Sequence, residues 1–323
     1  METPELRPLT LGELLDRTFT LYRNHFWLFV GIMAIPAAIS IPFSAWFLST
    51  QGLAGLSGKP SPAFAAGAGV VFVTFMLLAW LVYAMALGAA TFAVSETYLG
   101  QNATVRNSYG KVRGKMWRIV GVVVVVFLRS LGMLVLVAIG MGVVVGILAM
   151  VTAVVARSSG GQPRTIVAVI LGIAIILAYL AGIGLWILWC LRYAVSIPAL
   201  LLENLGVRAA VRRSVKLTVG RRWQLLVAVV LCTIIAYAGV IIFQGPFFLT
   251  MMFSARSGPL PEWLTLVFAI SGSVGGAITG PLLMILLVLC YYDTRIRKEA
   301  FDLQFMMSSL DSAPSSSGIA PTG

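Results

Sequence analysis

One histidine, three cysteines and eleven carboxylates are all that a chain of 323 residues offers for metal, nucleophilic or acid–base chemistry. His25 has no second histidine for a metal site and no Ser–Asp set beside it. It stands two residues before Trp27, where an apolar run begins, which is the position of an interface residue. Cys190, Cys232 and Cys290 lie inside apolar runs at no metal-ligand spacing and read as small packing residues. Ten of the eleven carboxylates fall on the side of the basic segments and Glu262 opens the last apolar run, so no pair of acids stands within a run for proton transfer. The sequence contains no GxxxxGK[ST], CxxC or HExxH pattern. The inventory predicts a protein that is not an enzyme and has no catalytic, cofactor-binding or metal-binding residues.

Two arginines form a candidate polar site within the apolar runs. Arg129 lies 12 positions beyond Trp117, about 18 Å along a helix axis, and Arg192 lies 11 residues before Glu203. A cation at mid-membrane costs at least about 2.5 kcal/mol on insertion scales and is expected to face a bundle interior or water. Arg129 is therefore expected to point inward, onto a carbonyl, a hydroxyl or a bound anion. Small residues form a second pattern. Gly272, Gly276 and Gly280 recur every four residues and Gly142 pairs with Gly146, a spacing that lets helices approach closely, in bundle packing or self-association, with a flexible gate as the alternative; a homo-oligomer or a membrane-protein partner is the assembly expected. Pro36, Pro42, Pro198, Pro246 and Pro281 stand inside apolar runs and are expected to kink or break helices.

The elements that must position these residues follow from composition. Hydrophobic residues make up 59% of the chain and charged residues 11%, too few polar groups to cover a water-soluble surface, since ordinary domains carry about 25% charged residues. Six runs are long enough for membrane helices: Phe26 to Ser49, Ala65 to Val94, Ile119 to Ala156, Thr165 to Leu202, Leu225 to Phe253 and Trp263 to Tyr292. The third could be one long helix or a broken one. Short connections at Gln51 to Pro62, Arg157 to Arg164 and Ala255 to Pro261 pair the runs as three hairpins. The fold class is all-α, a polytopic membrane helical bundle.

A repeat underlies the hairpins. Aligning Trp27, Trp117 and Trp223 places DRTFTLYRNHFW over RNSYGKVRGKMW and RRSVKLTVGRRW, which brings Thr18, Ser108 and Ser214 together and likewise His25, Lys115 and Arg221. Each segment carries a helical stripe, such as Leu11, Leu15, Thr18 and Tyr22, opposite a charged face. Thr10 and Glu13 predict a capping box, and Asn102 and Asn204 predict caps for the other two helices. Residues 9–94, 102–202 and 204–292 are thus expected to be three copies of amphipathic helix plus two spans. A fourth amphipathic helix is expected over 293–307, supported by Arg295–Glu299 and Lys298–Asp302 pairs, before a disordered tail at 308–323. Residues 1–307 read as one integral membrane domain.

Orientation follows from charge. Of the 23 Lys and Arg residues, 18 lie in the segments that hold the amphipathic helices and 4 in the opposite loops, leaving Arg129 within a span. This positive-inside bias predicts a multi-pass protein of the bacterial cytoplasmic (inner) membrane with both termini cytoplasmic. The polar N-terminal stretch with Glu2, Glu5, Glu13 and Asp16 is not a secretory signal and is expected to stay attached. The expected partners are membrane phospholipids, anionic at the cytoplasmic leaflet, rather than nucleic acid.

LTLGELLDRTFTLYRNHFWLF at the first segment, RYAVSIPALLLENLGVRAAVRRSVKLTVGRRW around the third and YYDTRIRKEAFDLQF after the last span resemble the family of the glycerophosphoryl diester phosphodiesterase membrane domain. The resemblance extends over nearly the whole chain. In some members a soluble phosphodiesterase barrel follows the membrane part; its catalytic residues have no counterpart here and none is carried over. What the resemblance implies is a membrane domain connected with envelope lipids. The expected function is a non-enzymatic, lipid-interacting scaffold or accessory module of the cell envelope. The alternative is a small-solute or lipid transporter whose deep arginines contact an anionic group.

Overall fold

A computed structural model of the chain describes residues 9–56, 62–98, 100–158, 163–254 and 262–299. Among these residues every regular element is a helix. The order short helix, long helix, long helix occurs three times: α1 (Leu11–Asn24), α2 (Phe26–Leu56) and α3 (Pro62–Tyr98); then α4 (Val105–Arg113), α5 (Met116–Ser158) and α6 (Pro163–Cys190); then α8 (Val207–Thr218), α9 (Arg222–Ser254) and α10 (Glu262–Glu299). A 3-10 turn (Leu191–Tyr193) and α7 (Ser196–Leu202) complete the second unit. Among the described residues six helices are long and apolar enough to cross a membrane. The protein is an all-α, multi-pass membrane protein.

Several local expectations change. The third span is one unbroken helix of 43 residues, consistent with a Val-rich run that contains no proline. The fourth span breaks just before Pro198: the helix tightens into the 3-10 turn and restarts at Ser196, which puts the proline in the first turn of α7, where it needs no intrahelical donor. Pro36, Pro42, Pro246 and Pro281 do not break their helices and stand inside α2, α9 and α10. No separate fourth amphipathic helix begins at 293, because α10 runs through to Glu299 with no breaker after the apolar run. Arg295 and Glu299 do pair, at 3.4 Å; the partner expected for Lys298, Asp302, and the tail at 308–323 lie outside the described residues.

The caps are partly as expected. Thr10 Oγ1 accepts from the Glu13 N–H and the Glu13 carboxylate accepts from the Thr10 N–H, which forms the capping box of α1. Thr104, rather than Asn102, caps α4 by accepting from the Asn107 N–H. Gly206 precedes α8, while Asn204 takes a positive φ of 50° in the turn before it and accepts from Arg118 instead. Asparagine tolerates this left-handed backbone better than most residues.

Packing closes the three units into a ring. α4 sits on α2 and α3, α8 sits on α5 and α7, and α1 sits on α9 and α10. Each short helix therefore rests on the long helices of the unit before it, and the last unit receives the first short helix. At the centre α3, α7 and α10 touch one another. The aligned positions behave alike. Thr18, Ser108 and Ser214 are all fully buried, whereas Trp27, Trp117 and Trp223 are 82%, 80% and 69% exposed. Two residues beyond each tryptophan, Phe29, Ile119 and Leu225 are buried in the core. The core fills the end of the bundle that carries the short helices. Beyond Phe127 the α5–α6 hairpin packs mainly on itself and leaves most apolar side chains exposed, a surface suited to lipid because helices satisfy their own backbone groups.

Candidate functional site

Polar chemistry gathers at the short-helix end, where the three second spans each finish on a carboxylate. Glu96 ends α3 and pairs with Lys111 of α4. Glu203 follows α7 and accepts from Arg213 of α8 at 2.9 and 3.1 Å and from the Tyr291 hydroxyl at 2.7 Å. Asp293 in α10 accepts from the Leu9 N–H at 2.9 Å and from Arg297 at 3.0 Å, with Arg221 at 3.4 Å. Glu96 and Asp293 are 6% and 7% exposed, so each needs the partners it has. Buried ion pairs of this kind position elements more than they stabilise them. All three carboxylates tie a second span to a neighbouring unit. No motif marks them, although SETYLG, LLENLG and YYDTR each place an acid where an apolar run stops.

Around Glu203 the contacts extend into a network. Arg213 also donates to Glu299 at 2.6 Å, and Arg295 joins Glu203, Glu299 and the Tyr291 hydroxyl. The Glu299 hydrogen bond, followed by the Glu203 contacts, outweighs burial and raises the pKa of Arg213. Arg221 behaves in the opposite way: burial lowers its pKa, opposed by the nearby Asp293 carboxylate. Lys298 reaches across to the carbonyls of Lys216 and Val219, at 2.8 and 2.7 Å, and so satisfies the C-terminus of α8.

A cavity of about 320 Å³ opens beside Asp293, where α1 meets α9 and α10. Its polar wall holds Thr10, Arg221, Gln224, Asp293, Thr294 and Arg297, and its apolar wall includes Leu11, Leu14, Leu225 and Ala228. Arg221 bonds Gln224, and Arg297 also donates to the Leu9 carbonyl. The arrangement can hold an anion beside an apolar group.

The residues singled out from sequence lie elsewhere. Arg129 is exposed rather than turned into the bundle, and its guanidinium stands 5.9 Å from the centroid of the Tyr193 ring. Arg192 stands 4.4 Å from the centroid of Trp189, and the Trp189 and Tyr193 rings meet edge to face at 6.4 Å. Arg129 and Arg192 are thus brought together through two aromatic rings at the break between α6 and α7. The contact shown for the Arg129 guanidinium is cation–π, with the Tyr193 ring. The Arg192 Nε and Trp189 Nε1 atoms are buried with no hydrogen-bond partner.

The glycines divide. A Cβ on Gly272 would meet Gln244 and one on Gly280 would meet Met33 at 2.7 Å, so these two admit neighbouring helices. Gly142, Gly146 and Gly276 have no such neighbour within 4 Å, and the first two are exposed. The close approach expected of these three is not made within the chain. Cys232 and Cys290 are buried and Cys190 is half-buried, all as free thiols. His25 is half-buried at the joint between α1 and α2, and its N–H donates to the Leu21 carbonyl. No family model, curated protein or solved structure matches the chain.

Proposed function

We propose that the protein is a lipid-interacting scaffold or accessory module of the bacterial cytoplasmic membrane, with the short-helix end against the inner leaflet. The observation that carries this reading is a basic collar at one level of the bundle. Arg23, Arg106, Arg113, Arg208, Arg212 and Lys216 are exposed on α1, α4 and α8. The exposed Trp27, Trp117 and Trp223 stand where the adjoining spans begin. Tryptophans at that level anchor helices at the headgroup region, and each exposed Lys or Arg near an anionic surface contributes about 1 kcal/mol. Asp16 is the one exposed acid among the described residues of the three helices. The resemblance to the glycerophosphoryl diester phosphodiesterase membrane domain family, carried by the segments quoted above, agrees with a role among envelope lipids.

Spin-labelled lipids in nanodiscs test the reading. Phosphatidylglycerol is expected to be immobilised in preference to phosphatidylcholine, less so as salt rises and less so in Arg208→Gln/Arg212→Gln/Lys216→Gln. Equal retention of the two lipids would remove its basis. In the same preparation no hydrolysis of glycerophosphodiesters is expected, and proteoliposomes are expected to show neither solute uptake nor lipid flipping. Substrate-dependent movement would favour the transporter instead.

A further inference from the structure

We propose that the cavity between α1, α9 and α10 is a binding site for a phosphate-bearing anion. Two arginines, Arg221 and Arg297, line it with one carboxylate, Asp293. Asp293 is already engaged by the Leu9 N–H and by both guanidiniums. Each guanidinium carries five N–H donors in a planar fork suited to phosphate oxygens, and the bonds to Asp293, Gln224 and Leu9 use only some of them. Thr10 and Gln224 add neutral polar groups to the same wall. Glu13 is the second acid at the site, held by the Thr10 N–H and hydroxyl, so the two guanidiniums that line the cavity face one lining carboxylate, Asp293.

The other wall selects what the anion is attached to. Leu11, Leu14, Leu225 and Ala228 face the same space, so the site offers an apolar surface beside the arginine pair. A cavity of about 320 Å³ is at the small end of ligand sites, which run from about 300 to 1,000 Å³, and suits a headgroup rather than a whole lipid. Position supports the assignment. At the two other unit junctions the chain passes directly from a second span into the next short helix, at 100–104 and 203–206. The cavity lies at the third such junction, between α10 and α1, beside the Leu9 N–H that donates to Asp293. This assignment rests on the lipid-facing reading of the collar only for the source of the phosphate; the site itself does not depend on the collar.

The test uses the full chain in neutral detergent and follows its melting temperature against four probes: dihexanoyl phosphatidic acid, glycerol phosphate, inorganic phosphate and dihexanoylglycerol, which lacks phosphate. A saturable rise with phosphatidic acid that exceeds the rise with the two soluble phosphates upholds the site and makes a lipid headgroup its ligand. An equal response to all three phosphates also upholds it and makes a free phosphoester the ligand. Arg221→Gln and Arg297→Gln are each expected to weaken apparent binding about tenfold, the effect of one charge-assisted hydrogen bond. Ala228→Leu narrows the apolar wall without touching a charge, and it is expected to reduce the response to phosphatidic acid should an arginine variant fail to fold. Three results would overturn the site: no shift with any phosphate, an equal shift with dihexanoylglycerol, or a shift unchanged in all three variants. Loss of phosphatidylglycerol selectivity in nanodiscs with the phosphate response intact would sink the collar reading and leave the site standing.

Discussion

The Tyr109 hydroxyl donates a 2.8 Å hydrogen bond to the Ile32 carbonyl, four residues before Pro36. In an unbroken helix that carbonyl would accept from residue 36, and proline has no N–H to give. A short helix of the second unit thus completes the backbone of the first span, at a depth where an orphaned carbonyl is costly. Tyr22 of α1 reaches α10 in a related way, donating to the Ile278 carbonyl, one residue after the Ala277 carbonyl that Pro281 leaves without an N–H. Two of the three continuous proline-containing helices, α2 and α10, therefore receive a tyrosine from a short helix, which ties the collar to the shape of these spans.

Tyr109→Phe is expected to destabilise the protein by about 1–3 kcal/mol, the cost of leaving a buried acceptor unpaired. The diagnostic comparison is with a Pro36→Ala background, where the new N–H can take the Ile32 carbonyl and the same Tyr109→Phe change should cost much less. Thermal melting of the four proteins in detergent gives the coupling. Equal losses in both backgrounds would mean that Tyr109 acts through packing alone.

Burial raises the pKa of Tyr22 and of Tyr109 to about 12 from an ordinary 10.0. A folded-state pKa above the unfolded one means that the unfolded chain loses the proton first, so the stabilisation is complete below pH 10 and is lost as pH rises toward 12. The melting temperature is expected to hold up to about pH 9.5 and to fall across that window, less steeply in Tyr22→Phe/Tyr109→Phe relative to its own neutral-pH value. An identical alkaline slope in the double variant would assign the transition to other groups.

The helices and their order were legible because each depends on local signals: apolar runs longer than about 20 residues, stripes at helical spacing and a capping box. The junction chemistry was not. Asp293 meets the Leu9 N–H across 284 residues, and a single acid at the end of an apolar run looks like any surface residue. For Arg129 spacing from Trp117 gives depth, but which way the side chain turns depends on how α5 is rotated against its neighbours, and no local pattern records that. The fourth amphipathic helix failed for a related reason. Ile296 continues the buried face of α10, so its stripe belongs to the last turns of a long helix.

The orientation proposed from charge predicts that cysteines placed at Gly58 and Gly160 react with an impermeant reagent added outside cells. Those placed at Gly110 and Ser312 should react only after permeabilisation. Gly110 lies exposed on α4, while the other three positions lie outside the described residues. Cys232 and Cys290 are buried and Cys190 is half-buried, so a Cys190→Ser background keeps native labelling low. External labelling at Gly110 would place the collar on the opposite side of the membrane and remove the inner-leaflet reading with it.

Gly121 and Gly142 stand on the same helix and predict opposite outcomes for the same substitution. A Cβ on Gly121 would lie 2.9 Å from Val207 Cγ2, the first residue of α8, just as one on Gly31 would lie 3.0 Å from Val105 Cγ2, the first residue of α4. Valine is short and stiff at χ1, so α8 must shift as a body, and such overpacking costs about 1–3 kcal/mol. Gly142 has open space around it, and alanine there gains up to about 1 kcal/mol of helix propensity. Gly121→Ala is therefore expected to lower the melting temperature and Gly142→Ala to raise it or leave it unchanged. Val207→Ala removes the clashing methyl, so Gly121→Ala should cost less in that background. A Gly121→Ala protein as stable as the parent would mean that α8 does not press on α5, and the ring of short helices on preceding spans would lose one of its close contacts.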